Sequence, residues 1–266
     1  MTPADFGVLR AEEECGQPSS HGLLIINADD WGRDAQTTQS ILDCVSCGTV
    51  TAVSAMVFME DSQRAAALAR ELTVDAGLHL NFTLPFAAGH CSSEVADHQR
   101  RITAYLRRHR MAQLVFNPAL VQSFDYVVSA QIDEFRRLYG ADPLRLDGHH
   151  HMHLCANVLL QRLLPQGTIV RRNLSFQSSE KGLMNRAYRR FVDGVISRRH
   201  RLVDYLFSLA PVDPPDRLRA IVALARQHVV EVETHTINPD EYRVLMNGGV
   251  LRIASDMDRF GIASGM

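Results

Sequence analysis

Lysine is almost missing from this chain: Lys181 is the only one in 266 residues, and the rest of the basic charge is arginine. Charge of one sign is missing too, because 30 acidic residues face 28 basic ones and the formal net charge is −2. Such a balance creates no field that would draw in nucleic acid or an anionic membrane, so neither is expected as a partner. No apolar run approaches the ~20 residues that span a bilayer, so no transmembrane segment is expected. The first residues show no basic start leading into an apolar stretch, so no export signal is expected either. The five cysteines, Cys15, Cys44, Cys47, Cys91 and Cys155, are odd in number and irregular in spacing, which argues against a disulfide framework. Cys44 and Cys47 form a C-x-x-C without a second copy. Cys44 falls on the apolar face of a helical stretch, so the pair reads as packing rather than as half a zinc site. A reducing, cytoplasmic setting is expected. Internal repeats and low-complexity tracts are absent.

What is present is enough apolar residue, 46%, for one large core. Residues 1–21 are polar and irregular and are expected to form a flexible N-terminal arm, with residues 22–266 as a single domain. Within that domain strand and helix patterns alternate. Residues 23–26 read as a buried strand ending in Asn-Ala-Asp-Asp, 37–47 as a helix stopped by Gly48, and 49–58 as a β-branched strand. Residues 62–72 read as a helix capped by Asp61, and 74–82 as a third strand. Residues 85–115 hold a loop and a polar, basic helix. This is too long for a plain connection, so it reads as an insertion or lid over a site. Further helices are expected at 127–139, 158–164, across most of 185–209, at 216–227 and from Glu241 onward. Strands are expected at 143–147, 168–171 and 229–235. Such alternation predicts a parallel α/β architecture, whose sites gather at the carboxyl ends of the strands.

The chemistry-bearing residues cluster at those ends. Four histidines, His149, His150, His151 and His153, occupy five positions directly after Asp147-Gly148. Neutral imidazole is the commonest metal ligand and a proton carrier near neutral pH. Asp29 and Asp30 end the first strand, His79 lies near the end of the third, and His235 ends the last. Singly, each has a plain alternative: Asp-Asp-Trp-Gly is good turn chemistry, and a lone strand histidine is commonly a core residue. Together they predict a metal site of two histidines and one carboxylate with a spare acid–base group. The same donor set serves non-haem iron oxygenases, although the His-x-Asp/Glu spacing of those triads is absent. It would also serve a carbohydrate-binding protein stabilised by a metal without turnover.

Asn-Ala-Asp-Asp-Trp-Gly (27–32), Gly-Thr-Val-Thr-Ala-Val-Ser (48–54), Gly-Leu-His-Leu-Asn (77–81) and Leu-Asp-Gly-His-His-His-Met-His (146–153), in this order and spacing, resemble the YdjC-like carbohydrate deacetylases, which include the chitooligosaccharide deacetylases. The resemblance covers roughly residues 22–240. It implies a distorted (β/α) barrel of the polysaccharide-deacetylase type, an N-acetylated carbohydrate as substrate, and one divalent metal ion. Mixed nitrogen and oxygen ligation favours Zn²⁺, with Mg²⁺, Ni²⁺ and Co²⁺ as alternatives. Carried over by position, the resemblance implies Asp30, His79 and His149 as metal ligands, Asp29 as general base, and His235 as the acid that protonates the leaving amine. His151 shares the strand-like parity of His149 and is the alternative ligand. His153 is placed in the substrate groove, and Asp147 behind a ligand imidazole. Arg171, at a strand end, reads either as a substrate contact or as a salt-bridged surface residue. A homodimer is the expected assembly. Two departures stand out: Trp31 replaces the usual phenylalanine, and His235 is followed by Thr-Ile-Asn before Pro239 rather than directly by Pro-Gly.

Overall fold

The computed structural model describes residues 22–109, 111–175, 183–250 and 252–253; the expected N-terminal arm lies outside the described residues. Among the described residues seven strands form one sheet: β1 (Leu23–Trp31), β2 (Ala52–Ala55), β3 (Asp75–Leu80), β4 (Arg145–Gly148), β5 (Ile169–Val170), β6 (Tyr205–Ser208) and β7 (Val229–Thr234). Their order is β5-β4-β3-β2-β1-β7-β6, and every pairing is parallel. The two edges then meet. Ile169 bridges Arg201, Val170 N donates to Arg201 O at 2.9 Å, and Ser175 N donates to Leu206 O at 2.7 Å. A curled sheet closed by short bridges instead of full strand pairing is a distorted (β/α) barrel.

The strands alternate because the barrel interior is polar. On β1, Ile26 and Ala28 pack outward into the core beneath the helices, while Asn27 and Asp29 enter the barrel. Leu78 and Leu80 do the same around His79, Leu146 beside Asp147, and Val230 and Val232 around Glu231. Parallel strands buried on both faces are normally continuous apolar runs. Here the period of two survives because one buried face carries charge.

The helices are α1 (Ala35–Ser46), α2 (Ser62–Leu72), α3 (Ser93–Leu106), α4 (Val121–Tyr139), α5 (Ala156–Gln161), α6 (Leu183–Ile196), α7 (Pro215–Leu224) and α8 (Pro239–Met246). Among the described residues none is long and apolar enough to cross a membrane. Two sequence expectations need correction. Asp61 makes no capping bond to α2; its carboxylate is taken by Arg64 at 2.7 Å, while the Ser62 hydroxyl accepts from Met59 N. Residues 185–209 are not mostly helical: α6 stops at Ile196, and Tyr205–Ser208 is a parallel strand in register with β7. A four-residue apolar run cannot be told from a buried helical turn by periodicity, and the aromatic residues Tyr205 and Phe207 carry the strand preference.

The insertion is docked rather than free. Ile102 of α3 is buried, Gln99 Nε2 donates to Leu84 O at 2.6 Å, and Thr103 Oγ1 donates to Phe82 O at 2.7 Å.

Candidate metal centre and active site

At the carboxyl end of β1 the strand bulges: its register on β2 shifts between Ala28 and Trp31, and Asp30 adopts a left-handed φ of 69°. A bulge re-aims a side chain, and aspartate is among the few residues that tolerate this backbone. As a result both Asp29 and Asp30 face the barrel mouth, which strict alternation forbids. Trp31 holds the bulge from behind, wholly buried, with Nε1 donating to Ala65 O at 3.1 Å.

The histidine cluster is not an extended strand. Residues 149–154 form a 3-10 turn interrupted by His150 and His151, both left-handed with φ of 56°. Two successive non-glycine residues in that region are strained and persist only where packing holds them. The turn fans the imidazoles apart. His149 Nδ1 lies 2.9 Å from Asp30 Oδ1, and His150 Nδ1 sits 3.1 Å from Thr83 Oγ1. His151 Nε2 lies 3.4 Å from Glu233 Oε2. Parity with His149 therefore fails for His151, since parity needs an extended backbone. His153 is fully buried, with Nε2 2.9 Å from Arg171 O, so it lies in no groove. Burial pushes its pKa down to about 3, which makes it a neutral ring that donates to that carbonyl. Gly148 permits this approach: a Cβ there would sit 3.0 Å from His153 N and 3.1 Å from its Nδ1.

Asp30, His79 and His149 converge. His79 Nε2 is 3.5 Å from Asp30 Oδ1, and the donor atoms of all three lie within 4.8 Å of one another. All three residues are buried. Asp30 Oδ1 and His79 Nε2 have no hydrogen-bond partner among the described residues, because these short approaches are angled off the bond direction. Buried polar atoms without partners are costly, and these face one another at separations that bonds of about 2.0–2.2 Å to a single ion would accommodate. The residues present therefore fit a divalent cation. Asp30 Oδ2 is held by Arg33 at 3.1 Å, which leaves Oδ1 as the inward donor.

His79 is oriented from behind. Its Nδ1 lies 2.7 Å from Asp147 Oδ1, which presents Nε2 to the centre, the usual carboxylate–imidazole support of a metal ligand. Burial opposes a charge on His79, yet Asp147 and Asp29 outweigh it and raise its pKa to about 10. Asp30 is itself held well below the ordinary carboxylate range: burial works against this, and His149 and His79 prevail. The pocket thus demands positive charge at Nε2, as a proton or as a metal ion.

Arg171 is salt-bridged as expected, but not at the surface. It is neither a surface residue nor exposed enough to meet a substrate, being 3% exposed inside the barrel. Its guanidinium grips Asp29 in bidentate fashion, NH1 to Oδ2 and NH2 to Oδ1, both at 2.7 Å. It also reaches Asp147 at 2.7 Å, Glu231 at 2.8 Å and Glu233 at 3.4 Å. Arg171 and His79 hold Asp147 far below its ordinary pKa against the opposing effect of burial. Asp29 is lowered as well, by Arg171 and His79 against burial, whereas burial raises Glu231. Asp29 Oδ2 lies 3.7 Å from His235 Nε2 at the rim. His235 is half-buried, and its backbone N donates to Glu241 Oε2 at 2.9 Å.

Glu231, Glu233 and Ser54 escaped the sequence reading. Ser54 Oγ donates to Asp147 Oδ2 at 2.6 Å. The signal for the two glutamates was the alternation Val-Glu-Val-Glu-Thr-His, which places both on the face of His235. The alternation predicts a strand with a polar side, and that side is the barrel interior.

A group formed by Asp29, His79 and Asp147 is also close enough to share an ion. Most of its acceptors are already used: Arg171 holds both oxygens of Asp29, which leaves only the side of Oδ2 that faces His235, and His79, Ser54 and Arg171 occupy Asp147. The underbonded group is therefore the better metal centre.

In fold, the chain is similar to a putative cellobiose-phosphate cleavage protein of Enterococcus faecalis V583, with a TM-score of 0.61 at 19% identity over 89% of this chain and 95% of that one. In sequence it is 31% identical over 138 residues to a carbohydrate deacetylase of Mus musculus, covering 51% of this chain and 44% of that protein. It is 32% identical over 133 residues to a chitooligosaccharide deacetylase of Proteus mirabilis, covering 50% of each. The chain thus matches about half the length of these relatives or less. A family model described as YdjC-like protein matches residues 23–241, most of the chain, and the chain belongs to that family.

Proposed function

We propose that the protein hydrolyses the N-acetyl group of an amino sugar, releasing acetate, at a divalent cation held by Asp30, His79 and His149. The observation that carries this is the pair of facing, unpartnered donor atoms, Asp30 Oδ1 and His79 Nε2, beside a carboxylate and an imidazole that the cation site does not use. The deacetylase names of the relatives support the choice of reaction. A cation bound there supplies Lewis acidity to the acetyl carbonyl and lowers the pKa of a water.

The residues of the chain do the rest. Asp29 accepts the proton of the attacking water. Arg171 fixes both its oxygens, so the acceptor has one position, and keeps it ionised. His235, 3.7 Å away at the mouth, delivers a proton to the departing amine. Asp147 keeps His79 in the tautomer that presents Nε2. Zn²⁺ suits two imidazoles and one carboxylate best, with Mg²⁺, Ni²⁺ and Co²⁺ as the alternatives. A reducing, cytoplasmic setting accords with Cys44 and Cys155 as buried free thiols. The homodimer is part of the same proposal, and sedimentation tests it.

The decisive experiment is acetate release from N-acetylglucosamine oligomers by the purified protein, by the protein after chelation, and after metal is returned. Activity should vanish with chelation and come back with one ion per chain. Undiminished turnover in chelated protein would sink the proposal.

A further inference from the structure

The barrel is open at its other end as well. At the amino-terminal ends of the strands, across the Arg171 cluster from the metal centre, lies a cavity of 230 Å³. Its wall is aliphatic: Leu23 and Ile25 of β1, Ile169 of β5, Val229 of β7, and Leu202 and Val203 just before β6. At this level β3 contributes no side chain. Gly77 faces inward beside Arg145, and a Cβ on it would stand 3.0 Å from both the Arg145 Cβ and its carbonyl oxygen.

One charged group interrupts the apolar wall. Glu231 is 6% exposed, and Arg171 takes only one of its oxygens, with Nε and NH2 both 2.8 Å from Oε1. The other oxygen, Oε2, has no hydrogen-bond partner among the described residues and opens on the cavity. A buried carboxylate oxygen left unanswered is costly. The surrounding charges leave it short of a cation. Asp29, Asp147, Glu231 and Glu233 share the one guanidinium of Arg171. Arg145 is committed elsewhere, to Asp75 at 3.0 Å and to Asn27 at 3.1 Å. Burial raises the pKa of Glu231 against the pull of Arg171. Arg201 and Asp204 stand at the entrance, both exposed and of opposite sign. An anion paired with Arg201 in water gains little, so the entrance does not turn the site toward anions. A ligand that answers both the wall and Oε2 has a cationic donor at one end and a short hydrocarbon behind it.

We propose that this lower cavity is a second binding site, which takes a small primary aliphatic ammonium ion, its nitrogen on Glu231 Oε2 and its chain against Leu23, Ile25 and Val229. The site is separate from the metal centre and does not depend on the deacetylase reading.

The test is NMR titration of the metal-loaded protein with ethylammonium, n-butylammonium and n-butanol. n-Butylammonium should bind at least about tenfold more tightly than n-butanol, because its hydrogen bond to the carboxylate is charge-assisted. It should also exceed ethylammonium by about fourfold for each added methylene. Backbone amides of Leu23, Val203 and Val229 should shift. Glu231→Gln keeps an acceptor for Arg171 and removes the charge, so it should weaken n-butylammonium about tenfold and leave n-butanol unchanged. Absence of binding overturns the inference, as do equal affinities for amine and alcohol, no gain with chain length, or undiminished binding in Glu231→Gln. Shifts confined to the mouth around His149 overturn it too. Should Glu231→Gln fail to fold, the wild-type affinities and the location of the shifts decide by themselves.

Discussion

Two acidic clusters lie side by side in this barrel, and each contributes to a trio close enough to share an ion: Asp30 with His79 and His149, and Asp29 and Asp147 with His79. Around Arg171, the carboxylates of Asp29, Asp147, Glu231 and Glu233 are bound to one guanidinium. Around Asp30, two imidazoles and a carboxylate point at one another and leave Asp30 Oδ1 and His79 Nε2 unanswered. Proximity of ligating atoms is common to both. What separates a structural cluster from a binding centre is whether the hydrogen-bonding capacity has been spent.

That contrast breaks at defined places. Asp30→Ala should abolish the centre, with acetate release falling at least about 10³-fold and metal content lost by elemental analysis. Arg171→Met should act on the other cluster, leaving buried carboxylates unpaired and costing about 3–5 kcal/mol of stability in denaturant unfolding. If Arg171→Met were as stable as the wild type, the saturated cluster would not be structural. Asp147→Asn joins the two clusters. It should weaken metal affinity about 10–100-fold in titration calorimetry while excess metal restores most of kcat.

The smallest effect is in pH. Asp29 and Asp147 have folded pKa values below the ordinary 3.8 of an aspartate, so their contribution to stability is complete above that value and drains as acid protonates them in the native state. His79 has the opposite sign. Raised from 6.5 to about 10, it stabilises the metal-free fold fully below pH 6.5 and loses that contribution as pH climbs through 10. Melting temperatures of metal-free protein should therefore sag between these values, and those of metal-loaded protein should not, because the cation replaces the proton. Identical alkaline profiles with and without metal would remove His79 from the centre.

Much of this is legible in the sequence alone. Polar groups at the ends of apolar runs located Asp29, Asp30, His79 and His235, since parallel strands expose only their termini to a ligand. The Arg171 cluster was not legible, because it depends on β1, β4, β5 and β7 curling until their inner faces meet. Nothing local marks Glu231 as facing an arginine sixty positions earlier. The separate fates of the four histidines were hidden for a different reason: the left-handed backbone at His150 and His151 breaks the alternation from which orientation is read. β6 was missed because its four residues are too few for a period to show.

The left-handed pair has one more consequence. Each ring from His149 to His153 owes its direction to its ordinal place in the turn, so a single-residue deletion there would not merely shorten the loop. It would hand every imidazole its neighbour's bearing, turning His150 toward the cation and His153 out of the core. Along this short stretch, spacing should therefore tolerate change less well than residue identity.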